Sequence, residues 1–413
     1  MSPGRTAVRR ATIPILVAAL GLAAPRGEAR AQSTAPAVFT ARGDQLLRTR
    51  ARLRAGDTAL AAAYAALLDD ARRSLAIPPQ SVMQKHRVPE SGDKHDYMSF
   101  APYYWPDSTR PGGMPYVNHD GRVNPASRED SDRPGFGRVS EAAPTLALAY
   151  FLSGDETYAG RAALLLRTWF LDSATRMNPN LKYGQAIPGI TVGRGIGLID
   201  TRGLAQVVDA VVLLRGSPSW TPADDAGMRA WCRQFLTWMR TSQLGHDEET
   251  RKNNHATWYD VQAASLALFV GDTGEARAAV ARGRERLGRQ ILPDGSQPEE
   301  LVRTRSFSYS EFNADALTRL AELGRFVDID LWHYRSPSGG SLRAALLYLA
   351  PYADAGTKWP GQQITAVDPR ELLGSLRRSD APLADSGLRA AIGKVSSGIR
   401  AADRSRLLYP DAP

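Results

Sequence analysis

Apolar residues recur at three- and four-residue spacing along most of the chain. The segments DTALAAAYAALLDDARRSLA (57–76), SEAAPTLALAYFLSGDETYAGRAALLLRTWFLD (140–172), DDAGMRAWCRQFLTWMRTS (224–242) and SLRAALLYLAPYAD (341–354) each carry this spacing. A period near 3.6 predicts amphipathic helices, and the strict alternation that would predict strands is scarce. Two stretches resemble one another, LALAYFLSGDETYAGRAALLLRTW (146–169) and SLALFVGDTGEARAAVARGRERL (265–287). Each reads as an apolar helix, a Gly-Asp turn and a second helix, an αα-hairpin closed by glycine. ALTRLAELGRFVDIDLW (316–332) echoes the first half of that unit. Repeated hairpins must bury their apolar faces on each other, as a solenoid or a closed ring. The fold class is all-α.

Three stretches break the helical pattern: residues 90–125, rich in aromatics, Pro and Gly, then 178–203 and 293–317. Long loops in a helical protein are commonly functional, and this density of Tyr and Trp argues against disorder. Gathered on one side of a helical scaffold, the three would make a cleft.

Composition narrows the partners. Arg5, Arg9 and Arg10 precede the apolar run IPILVAALGLAAP, and Ala29-Arg30-Ala31 supplies small residues at −3 and −1. This order predicts a secretory signal peptide, residues 1–31, cleaved after Ala31, with residues 32–413 as a single exported domain, periplasmic or secreted. Later stretches are too short and too interrupted to span a bilayer. Five arginines and one glutamate leave with the leader, taking the net charge from +9 to +5. The remaining charge is spread along the chain, without the basic block that would track a nucleic-acid backbone. An acidic substrate is compatible with this balance. Cys232 is the only cysteine, so a disulfide framework is excluded, and its apolar neighbours predict a small buried hydrophobe.

The candidate chemistry is best approached by elimination. His255 has no second histidine at a three- or four-residue spacing, Lys94-His95-Asp96 is too cramped for a cage, and no metal or other cofactor is expected. GRGIGLID carries close glycines but lacks a leading strand, so nucleotide binding is not supported. Asp200, Asp260, Glu299 and Glu300 could supply a carboxylate pair for glycoside hydrolysis, although none stands in a distinctive acid/base context. The remaining constellation is Asn254, His255, an arginine of RTR (303–305) and Tyr309. Such a set suits β-elimination on a uronate joined through O4. The substrate carboxylate must be neutralised before the C5 proton can leave, a base is needed near C5, and an acid near O4. Arginine offers a planar fork to a carboxylate and asparagine an amide donor; histidine and tyrosine can move protons. Each residue also has an ordinary reading as cap, core histidine or core edge. Periodicity does not bring residues 254 and 309 together.

NNHATWYDVQ (253–262) resembles the Asn-Asn-His-aromatic signature of the alginate lyase superfamily of polysaccharide lyases. KHDYMSFAPYYWPD, GRVNP, YGQAIPG, GRGIGLIDTRG and EELVRTRSFSYSEFNADALTRLAELG are similar to its recurrent blocks, from about residue 90 to 325. The resemblance implies an (α/α) toroid and metal-independent cleavage of alginate or a related polyuronate. It implies that Asn254 helps neutralise the uronate carboxylate, and that His255 acts as base or assists that neutralisation. Tyr309 would protonate the leaving oxygen and, in syn elimination, also take the C5 proton. The neutralising arginine is Arg303 if one residue is gapped, with Arg305 as competitor. The long aromatic loop looks closer to a branch that includes glucuronan- as well as alginate-cleaving enzymes. Tyr103, Tyr104 and Trp105 are expected to stack on sugar rings, with Lys94, His95, Tyr183, Gln185, Arg202 and Arg305 as further substrate contacts. Asn253 is expected to be structural. Two alternatives remain: a glycoside hydrolase on an α/α toroid, and a noncatalytic polyuronate-binding protein.

Overall fold

The computed structural model describes residues 1–4 and 34–412 and places helices where the apolar spacing predicts them. The proposed leader, with its cleavage site, lies almost wholly outside those residues. Helices α1 (Gly43–Arg54) and α2 (Ala61–Leu75) come first, followed by α3 (Arg133–Ser153), α4 (Glu156–Leu166), α5 (Leu204–Leu214) and α6 (Pro222–Thr241). Next are the short α7 (Gln243–Glu249), the hairpin of α8 (Asn254–Val270) and α9 (Thr273–Gln290), and the single turn α10 (Pro298–Leu301). The chain closes with α11 (Ser306–Leu323), α12 (Leu342–Leu349), α13 (Glu371–Leu383) and three shorter helices up to Leu408.

Helix α3 packs on α5, α5 on α8, and α8 on α11, forming an inner wall. Outside it, α4 lies on α3, α6 and α9 on α8, and α13 on α11, which makes the all-α fold an α/α toroid. The inner helices are buried on most of their surface; in α8, Ala256, Val261, Ala263, Ala264 and Leu266 are fully buried, and so are the polar Thr257, Asp260 and Ser265. A helix covered on nearly every side lies between two layers, and its polar side chains must find partners there, as Asp260 does with Arg282 and Arg286.

Both expected Gly-Asp turns form. Gly154 (φ +79°) ends α3 and Gly271 (φ +86°) ends α8, each in the left-handed region open to glycine. Asp155 and Asp272 then cap α4 and α9 by accepting from Thr157 N and Glu275 N. The third echo differs, because Gly324 (φ −56°) runs on into a 3-10 turn and no hairpin follows. Cys232 is fully buried, and burial pushes its thiol up, as a core residue requires.

The first two loop stretches are tied together. Strand β1 (Met98–Phe100) pairs in parallel with β4 (Tyr183–Ala186), while β2 (Tyr104–Trp105) and β3 (Val117–Asn118) form a small antiparallel pair. The third stretch is a correction: it is irregular only to Arg305, and Ser306 opens α11. Serines at 306, 308 and 310 lower the local helix propensity, but Phe307, Ala314 and Leu317 fall on one buried face and tertiary burial wins.

Candidate active site

The N-terminal ends of α8 and α11 open into one cavity of about 830 Å³. Its wall includes Asn254, His255, Arg303, Arg305 and Tyr309, residues that the sequence spacing alone could not unite. Tyr103, Tyr104, Gln185 and Arg202 line it as well. Lys94, His95, Trp105 and Tyr183 do not. His95 Nδ1 instead meets Arg176 O at 2.6 Å, Trp105 Nε1 donates to Arg122 O, and Tyr183 pairs in the sheet with Met98. The neighbourhood of Lys94 and His95 is a joint between loops: buried Asp96 accepts from Ser91 Oγ, Asn178 Nδ2 and Asn180 Nδ2. A cluster of polar residues in sequence was here structural.

Asn254 is fully buried at the first position of α8. The cap residue Asn253 makes no side-chain cap bond; its carbonyl accepts from Gln290 Nε2, and it too lines the cavity. The capping acceptor comes from another element. Glu300, on α10, accepts Asn254 N at 2.7 Å and Asn254 Nδ2 at 3.0 and 2.9 Å. Burial raises the Glu300 carboxyl, and the bonds from Asn254 oppose that rise. In this arrangement the amide nitrogen faces Glu300 and Asn254 Oδ1 is buried without a partner. Donation from Asn254 to a substrate carboxylate therefore requires the amide to turn over, which a protonated Glu300 would permit. Truncating Glu300 to Ala orphans the buried donors of Asn254. Unfolding in denaturant should register a loss of about 1–3 kcal/mol, and an unchanged midpoint would show the clamp to be dispensable.

His255 Nδ1 lies 2.7 Å from Oε1 of Glu248, a residue of α7 that is 1% exposed. A carboxylate there accepts the Nδ1 proton and leaves Nε2 as the nitrogen free to exchange protons. Glu248 was not singled out from the sequence, although it stands seven residues before His255 in GHDEETRKNNH.

Arg303 donates to Asp120 Oδ1 from Nη2 (2.6 Å) and Nε (3.1 Å), and its guanidinium carbon sits 3.8 Å from the centre of the Tyr309 ring. Among the described residues its Nη1 has no hydrogen-bond partner. Asp120 also accepts from Thr304 N and Oγ1; burial works against its ionisation, but these bonds hold the carboxyl below its ordinary range. The Tyr309 hydroxyl lies 2.7 Å from that of Tyr103. Burial first, then Tyr103, push the Tyr309 phenol far up despite the arginine on its ring, so it keeps its proton at neutral pH.

Six arginines line the cavity (Arg133, Arg194, Arg202, Arg251, Arg303 and Arg305) against three carboxyl groups, Asp120, Glu311 and Glu371. Arg305 Nε and Arg194 Nε are buried without partners. Arg202 rests over Phe312 and has one long bond, 3.3 Å, to a backbone carbonyl. Gln185 holds a left-handed backbone (φ +52°), uncommon for a residue with a side chain. Bonds from its amide to Asp200 and to its carbonyl oxygen from Arg194 hold it there. The candidate hydrolytic acids are dispersed: Asp260 is buried between Arg282 and Arg286, Asp200 binds Ser99 and Gln185, and Glu299 is exposed. Among the described residues no group of three His, Cys, Asp or Glu side chains is placed to hold a metal ion.

The α/α toroid thus carries a cationic cleft with a carboxylate-backed histidine and a half-buried tyrosine that keeps its proton. The alginate lyase family model matches residues 81–359. This chain belongs to the alginate lyase family. It is 38% identical to a Bacteroides ovatus alginate lyase of known structure, with a TM-score of 0.86 over 91% of this chain and 99% of that one. Alginate lyase A1-III from Sphingomonas species A1 shares the fold at 18% identity (TM-score 0.54; 88% and 94% covered). A variant of that enzyme complexed with a tetrasaccharide matches with a TM-score of 0.57 at 18% identity, covering 91% and 97%. No curated protein sequence matches the chain.

Proposed function

We propose that this protein is a polysaccharide lyase that cleaves β-1,4-linked polyuronate, alginate or glucuronan, by β-elimination and leaves 4,5-unsaturated uronate ends. The observation that carries this reading is the convergence, in one arginine-lined cavity, of a histidine oriented through Nδ1 and a tyrosine that retains its proton. The C5 proton of a uronate lies α to a carboxylate, so its removal builds negative charge on a group already anionic. Arg303, through its free Nη1, and Asn254 are assigned to neutralise that carboxylate. His255 Nε2 takes the C5 proton as the electron pair forms the C4=C5 bond. The bond from C4 to O4 breaks, and Tyr309 delivers the proton that O4 receives. Tyr103 and Tyr104 on the cavity wall offer faces to pyranose rings. The exported location expected from residues 1–31 suits an enzyme whose polymer lies outside the cytoplasm.

Incubation with polymannuronate, polyguluronate, mixed alginate and glucuronan, followed by ultraviolet absorbance of the unsaturated product, tests the reading. Absorbance should rise on at least one polyuronate. A folded protein that gives no signal on any of them, or that releases reducing ends without unsaturation, would sink it.

A further inference from the structure

A cleft built for a polyanion should be free of carboxylates, yet Glu311 lines this one, two residues beyond Tyr309 on α11. It is 8% exposed and, among the described residues, has no hydrogen-bond donor and no ion-pair partner. The two nearby cations are committed elsewhere. Arg319, on the same helix, donates from Nε to Asp315 Oδ2 at 2.8 Å, and Arg378, on α13, from Nη1 to Asp315 Oδ1 at 2.8 Å. Burial alone would raise Asp315, but the two arginines hold it ionised, well below its ordinary range. Glu311 is left facing that ionised aspartate on its own helix and Glu371 on α13. Glu371 is itself raised by burial and by Asp368, with Arg305 opposing. On the cavity side, Arg202 and Arg305 share the wall.

A carboxyl group that is desolvated, next to two other acids and without a donor keeps its proton; burial, Asp315 and Glu371 act in that direction and outweigh Arg319 and Arg378, which oppose it. Among the described residues it makes no hydrogen bond, and it lines the space the saccharide would fill. We propose that Glu311 enters the complex as a neutral carboxylic acid and donates a hydrogen bond to an oxygen of the bound uronate chain. The inference rests on the polyuronate reading above and adds a positioning residue to it. No bond is made or broken; the proton stays on Glu311 and only its acceptor changes.

The sign of two substitutions separates the possibilities. Saturated oligouronate is titrated calorimetrically into Tyr309→Phe protein, which is expected to bind with little turnover, and into the same protein carrying E311Q or E311A. Glutamine keeps a donor and no charge, so E311Q should bind within about threefold of its parent. Alanine removes the donor and should weaken binding about ten- to a hundredfold, the range for a hydrogen bond to a charged group. Tighter binding by both variants would mean that Glu311 is an ionised, repelling group, and equal binding by E311A would mean that it makes no bond. Either result overturns the proposal. Infrared difference spectra without ligand add a readout that a packing role would not move: the protonated-carboxyl C=O band should be present in the parent and reduced in E311Q. Absence of that difference also overturns the proposal, even if E311A fails to fold. If the parent binds no polyuronate while the infrared difference is present, the substrate reading has failed and the donated bond with it, although the neutral carboxyl stands.

Discussion

Replacing Tyr309 by phenylalanine should remove nearly all turnover and leave the fold in place. The change deletes one oxygen whose protein contact is the hydroxyl of Tyr103, and it keeps the ring on which Arg303 rests. Little stability depends on that atom, so the melting temperature should hardly move. Turnover depends on it heavily. The expelled O4 needs a proton, and the half-buried phenol, still protonated at neutral pH, is placed to supply one. Loss of a positioned acid lowers a rate by about 10²–10⁴-fold. We expect kcat, read by product absorbance, to fall about 10³-fold or more, with KM within about threefold. Near-normal turnover would mean that the leaving oxygen is protonated by another group, and Tyr103 would then be the first to examine.

The same residues show how far the sequence could be read. The helices, the two Gly-Asp turns and the buried cysteine are local consequences of periodicity and turn chemistry, and they appear where expected. Asn254 and Tyr309 are 55 positions apart in sequence, and no local rule joins them. They meet because inner helices α8 and α11 pack side by side with their N-terminal ends at one mouth, a tertiary fact that resemblance to a family supplied in advance. Misses have the same origin. Glu248, Glu300 and Asp120 hold His255, Asn254 and Arg303, and each reaches its partner from another element. Asp120 lies in a loop and Glu248 and Glu300 in short helices; Glu300 stands out in sequence only as a possible hydrolytic acid, and nothing local marks any of the three as a support for the site. Lys94 and His95 drew notice as polar residues near aromatics, but Asp96 beside them is bound into a joint between loops. Polar density marks a buried network as readily as a binding surface, and only the fold distinguishes the two.

These supports also bear on the electrostatics of elimination. The site must lower the cost of charge at C5 while withholding water, and buried donors do this better than solvated ones because they need not reorganise. Arg303 is fixed from one side by Asp120 and from the other by the Tyr309 ring. A guanidinium held in that way presents its remaining edge in one orientation, whereas among the described residues Arg305 has no carboxylate in hydrogen-bonding contact to fix it.

Truncation of Arg303 to alanine is therefore expected to cost more than truncation of Arg305. Removing one preorganised donor from such a site costs about 2.7–4 kcal/mol, which is about a 10²–10³-fold loss in kcat/KM. A further penalty applies at this position. Asp120 is held in its ionised form by Arg303 and Thr304, and without the guanidinium it becomes a carboxylate facing an anionic substrate with one partner fewer. R303A should thus raise KM as well as lower kcat, by about 10³-fold in kcat/KM together. Adding Asp120→Asn to R303A should restore part of KM and little of kcat, because it relieves the repulsion without replacing the donor. Lysine at 303 keeps the charge but loses the fork and the flat contact with the ring, so it should rescue only a fraction. R305A, lacking both the Asp120 partner and the stack on Tyr309, should lose about tenfold or less. The reverse order, with R305A the more damaging, would transfer the carboxylate-neutralising role to Arg305 and leave Arg303 as the residue that fixes the Tyr309 ring.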